Sequence, residues 1–366
     1  MTKDEKKVII IGASYAGIHA LKFLLKSSST KLDIAVISPS ESAYFNAAAP
    51  RLLVEPEQID KAIFSVKNTV EKSSNNTIHT TKFIKATVTK VDLDEQKVYF
   101  GDSELGYDYL IIASGARAKS PVYKLGNTTD HTHTVKALKE VASEIKNAES
   151  VAVIGGGSTG VETAAEIAYA YRDKTVFLYT GAASPLPNFP QSSISGAVKK
   201  LGNLKVKIVN NERVNVENNT TVKLQDGTTR NYGLVIQASG VIPNTEYLPA
   251  SVLDKAGFVE TDANLRLKDH ANVIAFGDVV ALGTSSIVDL VFNQEPIFQK
   301  TVEYEVFDNK KTQLKPYVRP TSLTTFVPVG KDGGVGLFFG YCVPSFLVRF
   351  FKSKDFMISK AGEHFT

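Results

Sequence analysis

Two copies of one short pattern constrain the fold of this chain more than any other feature. Residues 7–17 have the sequence KVIIIGASYAG, and residues 151–160 have the sequence VAVIGGGSTG. In each copy a short, mostly β-branched apolar run precedes a glycine turn, and a helical apolar pattern follows. Such a run is typical of a strand that is buried on both faces in a parallel sheet. Each copy therefore predicts a strand, a tight turn and a helix in succession.

This arrangement directs the backbone N–H groups of a helix start toward a bound pyrophosphate. The first copy has Gly12 and Gly17, with Ser14 where a second glycine is usual. The second copy has the full G-x-G-x-x-G spacing, with glycines at Gly155, Gly157 and Gly160. Either loop alone is also compatible with an ordinary strand-to-helix turn, because tight turns need glycine for steric reasons.

The same strand ending follows both copies, as LIIASG at 110–115 and as LVIQASG at 234–240. A repeated module is more specific than one glycine loop, so the sequence predicts two dinucleotide-binding units. Apolar periodicity and turn residues predict further elements. These are strands at Leu32–Ser38 and 272–278, a hairpin within 82–100 that turns at 94–96, a helix that begins near Pro296 and a basic, aromatic helix over 345–356.

Neither unit has an acidic residue at the end of its second strand. Ser38 holds that position in the first unit, and Tyr-Thr-Gly at 179–181 holds it in the second. A carboxylate there would hydrogen-bond the ribose 2′-hydroxyl and would repel the extra phosphate of NADPH. The Ser38 hydroxyl can still bond a ribose, and the second unit is compatible with both NADH and NADPH. Arg172 precedes the strand and is not assigned to a phosphate.

Composition argues against several other classes of protein. A net charge of +4 over 366 residues, with Lys and Arg scattered, gives no support for a nucleic-acid partner. Cys342 is the only cysteine, so no internal disulfide can relay electrons. The six histidines show no ligand spacing, and no metal site is expected. No apolar run reaches the roughly 20 residues of a membrane-spanning helix and no secretory signal opens the sequence, so a cytoplasmic location is expected.

The most specific segments are IGGGSTGVETAAEI at 154–167, FGD at 276–278 and VGKDGGVGLFFGYCVPSFLVRFFKSKDF at 329–356. With them the chain closely resembles the apoptosis-inducing factor 2, or ferroptosis-suppressor-like, branch of the FAD-dependent pyridine nucleotide oxidoreductases. The resemblance implies an α/β fold with two Rossmann-like domains, as in glutathione-reductase-like two-domain flavoproteins, and a small C-terminal α+β domain. It implies an FAD-binding domain over 1–118 and 251–315, an NAD(P)H-binding domain over 119–250 and a C-terminal domain over 316–366.

The resemblance also implies two catalytic residues, Glu162 near the nicotinamide and flavin rings and Lys352 beside the flavin. The predicted cofactor contacts are Gly12, Ala13, Ser14, Tyr15, Ala16, Gly17, Ser38, Arg51, Val88, Gly115, Gly277 and Asp278 for FAD, and Gly155, Gly157 and Gly160 for NAD(P)H. A structural interpretation stays open for each catalytic candidate. Glu162 would only complement the dipole of its helix start, and Lys352 would be a solvated helix residue.

The predicted function is an FAD-dependent NAD(P)H oxidoreductase that passes electrons through the flavin to a quinone-type acceptor. One alternative is a redox-sensing or cell-death effector whose interaction surface is switched by NAD(P)H. A reductase for a ferredoxin-like carrier has little support from the scattered charges. An apolar tail near the C-terminus has two interpretations. It lines the path by which a quinone enters and contacts a lipid surface, or it forms the core of the C-terminal domain. Its residues are Leu337, Phe338, Phe339, Phe346, Leu347, Phe350 and Phe351. The resemblance extends the expected location to the surface of mitochondria or lipid droplets, and the oligomeric state stays open.

Overall fold

The first copy of the repeated pattern forms the centre of a parallel sheet. The structure is a computed structural model that describes residues 5–73, 75, 77–284 and 286–366. Strand Lys6–Ile11 lies between the parallel strands Leu32–Ser38 and Tyr109–Ile112, in register Ile9↔Ala35 and Ile9↔Leu110. The six strands of this first sheet are, in spatial order, Arg266–Leu267, His270–Ala275, Tyr109–Ile112, Lys6–Ile11, Leu32–Ser38 and Thr80–Lys85. Residues 8–11 are at most 4% exposed, which confirms a strand buried on both faces.

The second copy forms the centre of a second, wholly parallel sheet. Its four strands are, in spatial order, Lys207–Val209, Thr175–Tyr179, Ser150–Ile154 and Leu234–Gln237. The two strands that end in the repeated Ala-Ser-Gly segment therefore hold equivalent places, each beside the strand of its own glycine loop. The repeat seen in the sequence is a repeat of topology, and the predicted α/β fold with Rossmann-like sheets is confirmed.

A short antiparallel pair joins the two modules. Strand Ala116–Ala118 follows the first Ala-Ser-Gly segment and pairs with Val241–Pro243, which follows the second. This pairing brings the carboxyl ends of the two central sheets toward one another. The bounds of the three predicted domains stay predictions, and residues 1–4, 74, 76 and 285, which fall within the predicted FAD-binding domain, lie outside the described residues.

Three smaller sheets complete the strands of the two modules. They are Ser42–Tyr44 with Ile63–Ser65; Val88–Asp92, Lys97–Phe100 and Ser103–Gly106; and Asn215–Val216, Thr221–Lys223 and Thr229–Asn231. The predicted turn at 94–96 is confirmed. The prediction of one strand before this turn is wrong. The strand is interrupted at Ala86, and its two parts, Thr80–Lys85 and Val88–Asp92, belong to different sheets. Alternation alone does not show such a break, since both halves keep a period of two.

The helices are mostly short. The α-helices are Tyr15–Leu24, Ala49–Leu52, Val66–Ser73, His131–Asn147, Ser158–Ala170, Gln191–Asn203, Ile287–Asp289, Glu295–Glu305 and Ser345–Val348. The 3₁₀-helices are Asn46–Ala48, Pro56–Ala62, Ala250–Val252 and Ile358–His364, and the π-helical turns are Leu290–Gln294 and Arg349–Ser353.

The helix predicted to begin near Pro296 begins earlier. Its N-cap is Ser286, whose hydroxyl accepts the N–H of Asp289 at 3.1 Å. The helix then continues through the π-helical turn Leu290–Gln294 into Glu295–Glu305, so Pro296 lies well inside it. A proline interrupts regular α-helical hydrogen bonding, and a π turn just before it accommodates the missing N–H. The true start of this helix, rather than the region of Pro296, lies beside Gly277, since a Cβ atom at Gly277 would lie 3.7 Å from Leu290 Cδ1.

The C-terminal segment forms a small sheet and a helix. Strands Thr325–Pro328, Gly334–Phe338 and Tyr341–Val343 are antiparallel neighbours. The following helix ends at Ser353 rather than at 356, because Phe356 and Met357 adopt positive φ angles of 53° and 62°.

Candidate active site

A cavity of about 590 Å³ lies where the two modules meet. Both Ala-Ser-Gly segments line it, and so do both helix starts after the glycine loops. Twelve of the predicted site residues line it: Gly12, Ala13, Ser14, Tyr15, Ala16, Ser38, Val88, Gly115, Glu162, Gly277, Asp278 and Lys352. The tertiary structure thus brings most of the predicted FAD contacts and both catalytic candidates around one space.

The last glycine of each loop, Gly17 or Gly160, packs against the first glycine of the same loop instead of facing the cavity. A Cβ atom at Gly17 would lie 1.8 Å from the Gly12 carbonyl oxygen, and one at Gly160 would lie 1.8 Å from that of Gly155. These glycines permit the helix to approach its own loop. Gly155 and Gly157 also do not line the cavity, although Ser158 and Thr159 beside them do.

The free space and the backbone donors fit a dinucleotide at each loop. The helices begin after Ser14 and Gly157; within the described residues the Ser14 side chain bonds no helix N–H, and Gly157 has no side chain that could. The first N–H groups of a helix have no intrahelical partner and attract anions. A Cβ atom at Gly157, or at Gly115 on the cavity wall, would meet no described protein atom within 4 Å. Open space therefore faces backbone that a pyrophosphate can approach.

Glu162 and Lys352 form an ion pair at the side of the cavity. Lys352 Nζ lies 2.6 Å from Glu162 Oε1 and also donates to the Phe326 carbonyl oxygen at 3.2 Å. The side chains are 5% exposed for Glu162 and 16% exposed for Lys352, so Lys352 is not a solvated helix residue. Burial raises the pKa of the Glu162 carboxyl, and the nearby ammonium opposes that shift. The site thus holds one buried carboxyl and one cation in direct contact.

Arg51 does not line the cavity. Its Nε lies 2.6 Å from Glu166 Oε2, and both groups are about 1% exposed. Its two terminal nitrogens donate to the carbonyl oxygens of Ser353 at 2.9 Å and Lys354 at 3.1 Å. The guanidinium therefore connects the π-helical turn that contains Lys352 with helix Ser158–Ala170 of the second module. The contact predicted between Arg51 and FAD stays a prediction.

Asp278 faces the cavity from the end of strand His270–Ala275, and its carboxylate pairs with the Lys124 ammonium. Gly277, with φ of 93°, donates its N–H to Gln294 Oε1 at 2.9 Å. Gln294 in turn donates to the buried carboxylate of Asp289 at 2.9 Å. The turn before Asp278 is therefore held by the helix beside it.

Sequence reasoning missed Lys124. It lies in the segment PVYKLGN between the two modules, and this segment has neither periodicity nor a recognisable motif. Its role becomes visible only when the fold places it opposite Asp278.

Cys342 lies outside the cavity. Its thiol is exposed, and its sulfur lies 3.3 Å from the hydroxyls of Ser192 and Ser193, which lower its pKa. Among the described residues, no group of three or more His, Cys, Asp or Glu side chains could hold a metal ion. Over the same residues, no helix is long and apolar enough to cross a lipid bilayer.

Two Rossmann-like modules around one cavity define a dinucleotide-binding α/β protein. Residues 6–301 match the family described as pyridine nucleotide-disulphide oxidoreductase, and the chain belongs to that family. It is therefore an oxidoreductase that depends on a flavin and a nicotinamide dinucleotide.

Relatives and solved structures agree with this assignment. Oxidoreductase ptaL of Pestalotiopsis fici is 29% identical over 360 residues, which cover 94% of each chain. Ferroptosis suppressor protein 1 of Homo sapiens is 28% identical over 366 residues, 96% of this chain and 94% of that protein. The predicted resemblance to the ferroptosis-suppressor-like branch is thereby confirmed. Sulfide:quinone oxidoreductase from Aquifex aeolicus shares the fold, with a TM-score of 0.74 and 15% identity over 98% of this chain and 92% of that one.

Proposed function

We propose that this protein is an FAD-dependent oxidoreductase that takes electrons from NAD(P)H and passes them to a quinone-type acceptor, without a redox-active disulfide. The observation that carries the proposal is the cavity shared by both modules, with the Glu162–Lys352 pair in its wall. A cofactor at each glycine loop would extend into that common space. Cys342, the only cysteine, lies elsewhere on the surface, so the acceptor must meet the flavin directly.

The residues of the first module would hold FAD. The uncapped helix start at Ser14 would donate N–H groups to the pyrophosphate, and Asp278 would accept hydrogen bonds from hydroxyl groups of the cofactor. When bound, a flavin accepts a hydride and releases its two electrons together or singly. The helix start at Gly157 would hold the pyrophosphate of NAD(P)H in the same way.

Lys352 supplies the positive charge that this chemistry needs. A buried cation fixed at one atom stabilises developing negative charge more strongly than a solvated cation. Glu162 fixes the ammonium through the 2.6 Å contact, and the Phe326 carbonyl holds it from a second side. Lys352 can also hold or donate a proton at Nζ.

The exposed aromatic residues of the C-terminal segment support an apolar acceptor. Five phenylalanines of the tail are between 46% and 76% exposed: Phe338, Phe339, Phe346, Phe350 and Phe351. The interpretation of the tail as a domain core is therefore wrong for these side chains, although it holds for Leu337 at 1% exposure. Phe338 contacts Phe339, and Phe350 contacts Phe351, so the exposed rings form apolar clusters, which on a protein surface mark interaction sites. A quinone with a long apolar tail, or the lipid surface that contains it, fits such a patch, and attachment to mitochondria or lipid droplets stays a proposal.

Spectroscopy of the purified protein tests the proposal directly. We expect flavin absorbance bands at about one flavin per chain, bleaching of these bands by NADH or NADPH without oxygen, and reoxidation when a quinone is added. If neither nicotinamide reduces the flavin in rapid mixing, the oxidoreductase assignment through this cavity is wrong. If the flavin is reduced but no quinone reoxidises it, only the acceptor is wrong.

A further inference from the structure

Arg213 lies against Gly181 at the carboxyl end of strand Thr175–Tyr179. A Cβ atom at Gly181 would lie 2.7 Å from Arg213 Cγ and 3.3 Å from its Nε. The absence of a side chain at Gly181 therefore provides the space in which the arginine side chain lies. Arg213 itself follows strand Lys207–Val209, the next strand of the second sheet.

This position is the one at which a Rossmann unit recognises the adenosine ribose of its dinucleotide. The glycine loop is close by, because a Cβ atom at Gly156 would lie 2.5 Å from Thr180 Cβ. In space, the glycine loop therefore lies beside Thr180, and Gly181, the next residue, lies beside the Arg213 side chain. An arginine at this site would face the 2′ position of the ribose.

Backbone hydrogen bonds hold the segment that carries Arg213. The Asn211 N–H donates to the Ala182 carbonyl oxygen at 2.8 Å, and the Glu212 N–H donates to that of Thr180 at 3.2 Å. Just before this segment, the Thr180 N–H donates a hydrogen bond to the Val209 carbonyl oxygen at 2.9 Å. These hydrogen bonds therefore fix the backbone just before Arg213 to the segment that contains Gly181.

The charges at this site favour an anion. Residues 179–183 are Tyr-Thr-Gly-Ala-Ala and contain no carboxylate. The nearest acid in sequence, Glu212, directs a carboxylate oxygen to the Gln225 N–H at 2.9 Å. Arg213 is exposed, and among the described residues no acidic side chain lies within salt-bridge distance of it. An arginine without an acidic partner is well suited to bind a phosphate through two N–H groups.

We propose that Arg213 binds the 2′-phosphate of NADPH and makes this protein prefer NADPH to NADH. The inference rests on the proposed function, because it assigns a donor to the nicotinamide half of that site. It is independent of the flavin chemistry, since the 2′-phosphate is remote from the reacting ring. Arg213 is accordingly a specificity residue and not a catalytic one.

Binding of nucleotide fragments by calorimetry tests the proposal without any turnover. The flavin-loaded protein is titrated with adenosine 2′,5′-bisphosphate and with adenosine 5′-monophosphate, and kcat/KM is measured in parallel for NADPH and NADH. We expect the bisphosphate to bind roughly 10- to 100-fold more tightly, as for hydrogen bonds to a charged group. Arg213→Ala should remove most of that ratio, and Arg213→Gln, which keeps packing on Gly181, should do the same if the alanine variant is unstable.

Arg172→Ala is the matched control. Arg172 belongs to the same module but stacks on the Tyr169 ring at 4.9 Å before strand Thr175–Tyr179 begins. Its removal lowers the net charge equally and should leave the ratio unchanged.

Equal binding of the two fragments by the unaltered protein, or an unchanged ratio in both Arg213 variants, would overturn the assignment. Equal reduction of the flavin by NADH and NADPH would also overturn it and leave the proposed function intact. The reverse case, an Arg213-dependent preference without flavin reduction, would support the assignment and remove the proposed function.

Discussion

The Lys352 ammonium lies 2.6 Å from the Glu162 carboxylate, although 190 residues separate the two along the chain. One turn further along the same helix, the Glu166 carboxylate meets the Arg51 guanidinium at the same distance. The helix Ser158–Ala170 thus presents two buried acids on one face, and each is matched by a cation from another part of the chain. Both cations converge on the turn Arg349–Ser353, one by belonging to it and one by bonding the carbonyl oxygen of Ser353.

Replacing Lys352 tests the catalytic role proposed for the Glu162–Lys352 pair. Lys352→Met removes the fixed cation beside the cavity, and we expect the rate of flavin reduction in rapid mixing to fall by about 10- to 100-fold. Lys354→Met is the matched control, because Lys354 is exposed and lies only two residues away. A rate equal to that of the control would contradict a catalytic role for Lys352.

Breaking the buried pair of Arg51 and Glu166 should destabilise the fold. Arg51→Met leaves the Glu166 carboxylate buried without its cation, at a cost of about 3 to 5 kcal/mol in the free energy of unfolding. The double variant Arg51→Met/Glu166→Gln carries no unpaired charge and should recover much of the loss. Urea unfolding measures four proteins: the unaltered protein, Arg51→Met, Glu166→Gln and the double variant. Additive effects of the two substitutions would show that the ion pair contributes nothing of its own.

Flavin occupancy distinguishes the roles of the first glycine loop and of Asp278. We expect Asp278→Ala to lose most of its flavin, because the substitution removes the carboxylate and leaves the Lys124 cation in the cavity without a partner. Ser14→Gly should keep its flavin, since in the proposed site backbone N–H groups rather than the serine side chain would face the pyrophosphate. The ratio of flavin to protein absorbance after purification measures both. Loss of flavin in Ser14→Gly alone would reverse this order of importance.

The exposed tail phenylalanines can be separated from the flavin chemistry. Phe346 and Phe350 lie four residues apart on one helical face and are 67% and 76% exposed. In Phe346→Ser/Phe350→Ser, turnover with a long-tailed quinone in lipid vesicles should fall, while turnover with a short, water-soluble quinone should not change. Ile78→Ser removes an apolar side chain that is 47% exposed and lies outside the C-terminal segment, and it serves as the control. An equal loss with both quinones would mean that the patch does not serve the apolar acceptor.

His364 should make stability depend on pH. Burial, followed by the neighbouring His19, lowers the pKa of His364 below its ordinary value near 6.5. The unfolded chain therefore binds a proton more readily, so this contribution to stability is complete above about pH 6.5 and is lost as the pH falls from that value to the lower pKa of the folded state. His364→Phe keeps a ring between Phe45 and Phe365 and should flatten the fall in unfolding free energy. His133→Phe, at an exposed position, should leave it unchanged.

Much of the fold follows from local pattern. Both central sheets are predicted by three local features: the apolar run at 8–11, the glycine turns and the repeated Ala-Ser-Gly endings. Local pattern suffices because strand period and turn chemistry are properties of neighbouring residues. Three predicted element bounds are wrong, for local reasons that pattern does not record. One is the end of the last helix, which the positive φ angles of Phe356 and Met357 place before residue 356. The break at Ala86 keeps the alternation, and the π-helical turn before Pro296 hides the true start of its helix.

The sequence by itself determined the repeated modules, the absence of a cysteine pair and the residue types available to a dinucleotide site. Only the tertiary structure decided which side chains meet. Tertiary packing forms the ion pairs of Lys352 with Glu162, of Arg51 with Glu166 and of Lys124 with Asp278. It also packs the Arg213 side chain against Gly181. The physical reason is that periodicity encodes the direction of a side chain within its own element. These partners, which are 32 to 190 residues apart, are chosen by the way in which separate elements pack, and that packing leaves no local trace in the sequence.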